Sequence, residues 1–314
     1  MNDISVSIVI PVYNEEGNLE QLINELLKIK EKLSQNTEII FVDDCSTDKS
    51  CQIIENIALK DKTVKLISLI RNYGQTTAIA SGIKNSNGEI IVTLDADLQN
   101  DPKDILDLLE KIKQGYDVVS GWRKNRKDPF FSRILPSKIA NFLISFLTGV
   151  KLHDFGCTLK AYRREFVENI SIHGEMHRFL PAYCVWQGAK ITEIPVNHRE
   201  RKHGKSKYGL GRIFKVILDM LLVKFILSYL SKPIYIFGGV SLITFFLGLI
   251  VNIFVILRKI FLGGEWLSPL FFAGFLLWSV CIISFLLGLL AEILIRIYFE
   301  SREISIYKIK KKIN

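Results

Sequence analysis

A chain of 314 residues carrying 41 Lys+Arg against 32 Asp+Glu, a net charge of +9, has room for one large domain or two smaller ones and suits an anionic partner. Hydrophobic residues make up 49% while charged residues still reach 23%, which excludes an ordinary soluble domain standing alone and points to a globular part joined to a membrane part. The five cysteines (Cys45, Cys51, Cys157, Cys184, Cys281) are odd in number and lack a Cys-x-x-Cys pair, so neither a disulfide framework nor a zinc site is expected and a reducing cytoplasmic setting fits best.

The first residues have no basic segment or cleavage site, so a signal peptide is not expected. The β-branched run 5–12 predicts a first strand, followed by Tyr13-Asn14-Glu15-Glu16 and an amphipathic helix over about 17–33. A second strand, 38–42, ends in Asp43-Asp44-Cys45-Ser46-Thr47-Asp48, where Ser46 or Thr47 is placed to cap a helix with Cys51, Ile54, Ile57 and Ala58 at helical spacing. A third strand near 64–68 leads into Arg71-Asn72-Tyr73-Gly74-Gln75 and a helix to about 83. The apolar fourth strand, 90–94, stops abruptly at Asp95-Ala96-Asp97-Leu98-Gln99-Asn100-Asp101; a helix over 102–114 and a fifth strand over 117–120 follow. This alternation predicts an α/β fold with a mainly parallel sheet between helices.

In such sheets ligands bind outside the carboxyl ends of the strands, where the acids of this chain cluster, so one shared crevice is expected. Asp95 and Asp97, two apart at a strand end, would face one object. With the amide oxygen of Gln99 they make an all-oxygen set suited to Mg²⁺ or Mn²⁺, an ion that commonly holds a diphosphate. The plainer alternative is a polar loop in which Asp97 or Asn100 caps the next helix. No Gly-x-Gly-x-x-Gly follows the first strand and no Gly-Lys-Ser/Thr closes a glycine loop, which argues against a dinucleotide-binding domain or a P-loop.

Beyond Gly121 the sequence turns basic (Trp122-Arg123-Lys124-Asn125-Arg126-Lys127, then Arg133), and a helix-like run covers 134–147. A last strand over 191–196 opens a second basic loop, 198–209. Each loop is either a solvated or lipid-facing charge run or a phosphate clamp. The five histidines show no His-Glu-x-x-His spacing and read as surface or hydrogen-bonded residues. Residues 211–230 form an amphipathic pattern suited to the membrane interface, and 233–257 and 269–295 are long and apolar enough to span a bilayer. Basic residues before the first span and after the second predict that the large domain and both termini lie on the cytoplasmic side of the membrane. The expected domains are 1–208, a catalytic domain; 209–231, an interfacial helix; 232–296, a two-helix hairpin; and 297–314, a basic cytoplasmic tail.

Taken together, Pro11-Val12-Tyr13-Asn14-Glu15, Val42 to Asp48, Arg71 to Gln75, Asp95 to Gln99, Asp154-Phe155-Gly156-Cys157 and Arg201 to Tyr208 resemble the family 2 glycosyltransferases. The branch they are most similar to is that of the polyprenyl-phosphate glycosyltransferases related to dolichol-phosphate mannose synthase, in its bacterial membrane-hairpin form. One departure is Cys45, where the family more often has glycine. The resemblance implies a GT-A type, Rossmann-like domain that moves one sugar from a nucleotide-sugar, UDP-glucose being the first expectation, to undecaprenyl phosphate. The same reaction with a UDP-N-acetylhexosamine, UDP-aminoarabinose or GDP-mannose, or a non-catalytic membrane scaffold, is the alternative. It further implies a metal site of Asp95, Asp97 and Gln99, and catalytic roles for Asp97 and Asp154. Nucleotide-sugar contacts would come from Pro11, Tyr13, Glu15, Asp43, Asp44, Asp95, Ala96, Arg201 and Lys207, and lipid-phosphate contacts from Arg123, Arg133 and Ser137. Membrane lipids and a homo-oligomer, a tetramer by resemblance, are the expected partners, and nucleic acid is not. A processive synthase is disfavoured by the missing Gln-x-x-Arg-Trp motif and the small number of spans.

Overall fold

The computed structural model describes residues 5–33, 36–124, 135–168, 170, 176–200, 234–263, 269–300 and 309–313. The elements run β1 (Val6–Val12), α1 (Glu16–Lys30), β2 (Thr37–Asp43), α2 (Ser50–Ala58), β3 (Val64–Leu69), α3 (Gln75–Lys84), β4 (Ile90–Thr93), α4 (Asp104–Lys113), β5 (Val118–Trp122), α5 (Leu135–Thr148), β6 (Lys160–Arg163), α6 (Leu180–Trp186) and β7 (Ile191–Pro195). Two long helices, α7 (Ile234–Leu262) and α8 (Pro269–Glu300), precede a final strand, β8 (Ile309–Ile313). The chain divides into two compact units, Met1–Val223 with Ser305–Asn314, and Lys224–Ile304.

The first unit is built on one eight-stranded sheet in the order β7-β5-β6-β4-β1-β2-β3-β8. Pairs β1/β2, β1/β4, β2/β3 and β5/β7 are parallel; β6 runs antiparallel to both β4 and β5, and β8 antiparallel to β3. The mainly parallel sheet between helices is thus as expected. Two strands were not foreseen: β6 is wedged between β4 and β5, and β8 follows β7, which is therefore not the last strand. Five residues of the expected basic tail lie in β8.

The central strands are buried on both faces, which is why 6–12 and 37–43 read as near-continuous apolar runs. One face packs Ile8, Ile10, Phe41 and Val92 against Leu19, Leu22 and Leu26 of α1, Ile54 of α2 and Ile105 and Leu108 of α4. The other carries α3, whose Gly82 lies so close that an added Cβ would stand 2.2 Å from Val9 Cγ1. Only a residue without a side chain lets that helix seat on β1.

Local capping differs from expectation. Ser46 and Thr47 do not cap α2: Ser46 Oγ accepts from Asn14 N at 3.0 Å, Thr47 N donates to Asn14 Oδ1 at 2.8 Å, and Asp48 Oδ1 accepts from Ser50 N at 2.9 Å. Neither Asp97 nor Asn100 caps α4. Asp97 Oδ1 accepts from Gln99 N at 3.2 Å, and Asp101 Oδ1 serves Lys103 N at 3.0 Å just before the helix.

In the second unit, α7 and α8 hold segments long and apolar enough to cross a membrane, Tyr235–Phe261 and Pro269–Ala291. Most of their large apolar side chains, such as Phe246, Phe254, Phe272 and Leu276, are exposed, as suits lipid rather than a protein core. The two helices pack through small residues: an added Cβ on Gly248 would meet Trp278, and one on Gly274 would meet Asn252. The expected interfacial helix at 211–230 lies outside the described residues.

Candidate active site

Because β1, β2, β3, β4, β5 and β7 all point the same way, their carboxyl ends share one edge of the sheet, and antiparallel β6 starts there. That topology gathers segments 13–16, 43–48, 70–75, 95–101, 122–124, 154–158 and 197–199. The acids expected to line one crevice, Asp43, Asp44, Asp48, Asp95 and Asp97, all lie on these segments at that edge.

The loops after β1 and β2 are cross-linked. Glu15 N donates to Ser50 Oγ at 2.9 Å, Glu16 N to Asp48 Oδ2 at 3.1 Å, and Lys49 N back to Glu16 Oε2 at 3.0 Å. Asn14 and Cys45 both adopt left-handed backbones, with φ of 54° and 60°. The conformation at Cys45 is the one glycine enters most readily, so the sequence departure sits where a side chain is strained. Asp43 and Asp44 are buried and engaged. Asp43 accepts from Ser46 N at 3.1 Å and Ser68 Oγ at 3.2 Å. Asp44 accepts from Tyr73 N at 2.7 Å and Gly74 N at 2.8 Å, and burial raises its carboxyl above the usual range. Asp44 thereby pins the segment whose next residue, Gln75, donates to Asp95 Oδ1 at 2.7 Å. Pro11 pairs with Val42 one residue before the end of β1, with Tyr13 and Glu15, both half-buried, just beyond the strand.

Asp95 and Asp97 lie past the end of β4, in a turn that Leu98 bends with φ 61°. The strand alternation expected to align them therefore does not apply, since β4 ends at Thr93. Burial and then the charge of Asp97 push the Asp95 carboxyl up to about 6, while Thr158, Arg123 and Lys160 pull it back. The two acids are near enough to repel, and Ala96 between them is buried. Gln99 is half-buried, its N–H on Asp97 and its carbonyl accepting from Arg199 N at 2.8 Å.

Opposite stands a fork-to-fork ion pair. Arg123 Nε donates to Asp154 Oδ2 at 2.7 Å and its terminal nitrogen to Oδ1 at 2.9 Å, and Gly156 N adds a bond at 3.1 Å. Lys160, 2% exposed, donates Nζ to the carbonyls of Phe155 and Cys157 and fixes the loop bearing Asp154; burial lowers its ammonium to about 8. Helix α5 is tied to the same loop through Asn141, which donates to His153 O at 2.8 Å and accepts from Phe155 N at 3.3 Å. It carries Ser137 and leaves Ile139, Phe142 and Phe146 exposed along one side. Arg133, Arg201 and Lys207 lie outside the described residues. Gln75 was quoted from the sequence only as part of a motif, with no site role; Thr158, Lys160 and Arg199 were not singled out, because nothing in their spacing reveals that β6 starts, and β7 ends, at this edge.

Among the described residues no three His, Cys, Asp or Glu side chains converge on a metal position. Asp95 and Asp97 nonetheless fit a hard divalent cation: two close carboxylates are strained by each other's charge, and Gln99 offers a further oxygen. Mg²⁺-type sites often take one or two protein carboxylates and leave the remaining positions to substrate phosphates and water.

The chain is similar to known proteins in sequence and in fold. The family model described as glycosyl transferase family 2 matches residues 7–171. A dodecaprenyl-phosphate galacturonate synthase from Rhizobium johnstonii is 37% identical over 305 residues, covering 96% of this chain and 90% of that protein. An undecaprenyl-phosphate 4-deoxy-4-formamido-L-arabinose transferase from Shewanella sediminis is 38% identical over 302 residues, covering 95% and 89%. Among solved structures, glucosyl-3-phosphoglycerate synthase from Mycobacterium tuberculosis, in complex with Mn²⁺, UDP and glucosyl-3-phosphoglycerate, shares the fold with a TM-score of 0.56 at 18% identity, over 70% of this chain and 80% of that one.

Proposed function

The chain belongs to glycosyl transferase family 2, and from that premise we propose that it moves one sugar from a nucleotide-sugar to a polyprenyl phosphate at a membrane surface. The observation that carries this reading is the meeting, on one sheet edge, of the Asp95–Asp97 pair with the Arg123–Asp154 pair. The first suits the diphosphate of a donor and the second the phosphate of an acceptor. Two relatives named for transfer to a polyprenyl phosphate are similar over 95–96% of the chain, apolar helices included, which supports a lipid acceptor. So does α5, whose exposed Ile139, Phe142 and Phe146 give the acceptor side an apolar flank.

In this reading Asp95, Asp97 and Gln99 hold Mg²⁺ or Mn²⁺, which would neutralise the leaving diphosphate when bound. Pro11, Tyr13, Glu15, Asp43, Asp44 and Ala96 shape the place for base and ribose, and Arg201 and Lys207 close over the diphosphate. Arg123, with Ser137 and Arg133, binds the acceptor phosphate. A phosphate oxygen forms the new bond to the anomeric carbon as the bond to the diphosphate breaks, inverting the centre. A phosphate monoester with a second pKa of about 6 is already largely dianionic at neutral pH, so it needs positioning more than a base. Asp154 already accepts two guanidinium bonds and an amide. Its part in this reading is to aim Arg123, which is how it serves the catalytic role that the resemblance implies.

The relatives compared carry galacturonate and 4-deoxy-4-formamido-L-arabinose in their names, so donors of those types rank ahead of the glucose first expected. The test is transfer of label from a panel of nucleotide-sugars to undecaprenyl phosphate by the full chain in detergent with Mg²⁺ or Mn²⁺. Label is expected in the organic phase from one donor and is expected to vanish with EDTA. Folded protein that transfers from no donor overturns the proposal.

A further inference from the structure

After β7 the chain does not leave the site freely. Asn197 N and Nδ2 bond the two carboxylate oxygens of Asp104 at 2.7 and 2.8 Å, and His198 forms an antiparallel bridge with Asn100. Arg199 N then donates to Gln99 O at 2.8 Å. The side chain of Arg199 spreads between two elements: one terminal nitrogen contacts Glu25 of α1 at 2.8 and 3.0 Å, and the other contacts Asp101 Oδ2 at 2.7 Å. A planar guanidinium can serve two carboxylates at once; an ammonium in the same place cannot hold both at fixed angles.

The turn this residue grips is under strain. Leu98 is a γ-branched residue held at φ 61°, with its side chain buried in the core. Such a backbone is unfavourable for a residue with a side chain and persists only where its surroundings over-determine it. Here the surroundings are known: Gln99 N on Asp97, Gln99 O on Arg199, and Asn100 Nδ2 on Thr158 Oγ1 at 3.2 Å. Arg199 alone among these reaches the turn from both its main chain and its side chain.

We infer that Arg199 is a positioning residue that sets the oxygen geometry of the Asp95, Asp97 and Gln99 site by clamping the 97–101 turn between α1 and the end of β7. The inference rests on the divalent-cation reading of that site and adds a residue to it. Groups that orient metal ligands from behind typically change metal affinity by about 10–100-fold when removed.

The test reads Mn²⁺ binding directly, by the free-ion EPR signal over full-length protein in detergent, with thermal unfolding alongside. Arg199→Met is expected to weaken Mn²⁺ binding about tenfold or more, and Arg199→Lys to restore little of it, since the fork is lost. Transfer at saturating Mn²⁺ should recover to near the parent rate. An Arg199→Met protein with parental Mn²⁺ affinity overturns the inference, whatever its thermal midpoint. If Arg199→Met does not fold, Asp101→Asn carries the test: it leaves the Glu25 arm in place and should weaken Mn²⁺ binding several-fold, and unchanged binding again overturns the inference. Asp97→Asn separates the two readings. If it binds Mn²⁺ like the parent, the metal site itself is wrong; if it loses Mn²⁺ while Arg199→Met keeps it, only the positioning role falls.

Discussion

Two forces oppose the charge of Asp95, burial first and the neighbouring Asp97 second, and together they lift its carboxyl from 3.8 to about 6. A carboxyl raised by folding favours the native state when protonated, so its contribution is fully present below 3.8 and is lost as pH climbs through about 6. Above that range the site holds two repelling carboxylates, which a divalent cation relieves. The gain in thermal midpoint on adding Mn²⁺ should therefore be larger at about pH 7.5 than at about pH 5.5, and Asp97→Asn should flatten the difference. Equal gains at both pH values in the parent protein would take the cation away from Asp95. At the same scale, Asp154 can be told from a general base. Both partners of its ion pair are largely buried, at 15% and 4% side-chain exposure, so Asp154→Ala should cost about 3–5 kcal/mol of stability by stranding Arg123. Asp154→Asn keeps the shape, and is expected to raise KM for the lipid phosphate with kcat within about tenfold. A fall in kcat of about 10²–10⁴ at unchanged KM would instead mark proton transfer. Asp95 and Asp97 were legible as candidate site residues because acids end an apolar run there, whereas Asp154 was legible only through the family resemblance of Asp154-Phe155-Gly156-Cys157. The Arg123–Asp154 pairing was not, since 31 residues separate the two and only β6 brings them together.

At the scale of elements, the parallel strands announced themselves through β-branched runs ending in polar clusters, and each was found within a residue or two of its expected place. The two unforeseen strands hid for different reasons. β6, Lys-Ala-Tyr-Arg, is only four residues long, and its buried lysine looks like a break in an apolar pattern. β8, Ile-Lys-Lys-Lys-Ile, reads as a charge run, yet lysines are what an edge strand uses to discourage further pairing. It covers the edge of β3, pairing Leu66 with Ile313 and Ser68 with Lys311, and Lys311 also reaches Glu55 on α2. The exposed Lys311–Glu55 pair is worth about 0–1 kcal/mol at most, so Glu55→Gln should change the thermal midpoint little. Deleting residues 309–314 removes the whole ladder and uncovers β3. That protein should unfold at a lower temperature and aggregate faster in light scattering than Glu55→Gln. If both variants behave alike, β8 contributes nothing beyond one ion pair.

At the scale of the whole molecule, β8 also bears on topology. The chain leaves the sheet before α7 and returns to it after α8, because Ile309–Ile313 hydrogen-bond to β3. If α7 and α8 each cross the bilayer, two crossings bring the chain back to the side it left, the arrangement expected from the basic residues flanking the hairpin. The two arguments are independent, one resting on charge and the other on backbone pairing, and under that condition both predict that the sheet domain and residues 309–313 share a side. That side is the cytoplasmic one if nucleotide-sugars are the donors, since they are made there. Single cysteines introduced in a background lacking the five native ones test this with a membrane-impermeant maleimide on intact cells. A cysteine at Glu265, between the two helices, should label from outside, whereas cysteines at Lys60 in the catalytic domain and at Asn314 should label only after the cells are opened. Labelling of Asn314 together with Glu265 in intact cells would break the hairpin, because the terminus could then not reach β3 of its own chain.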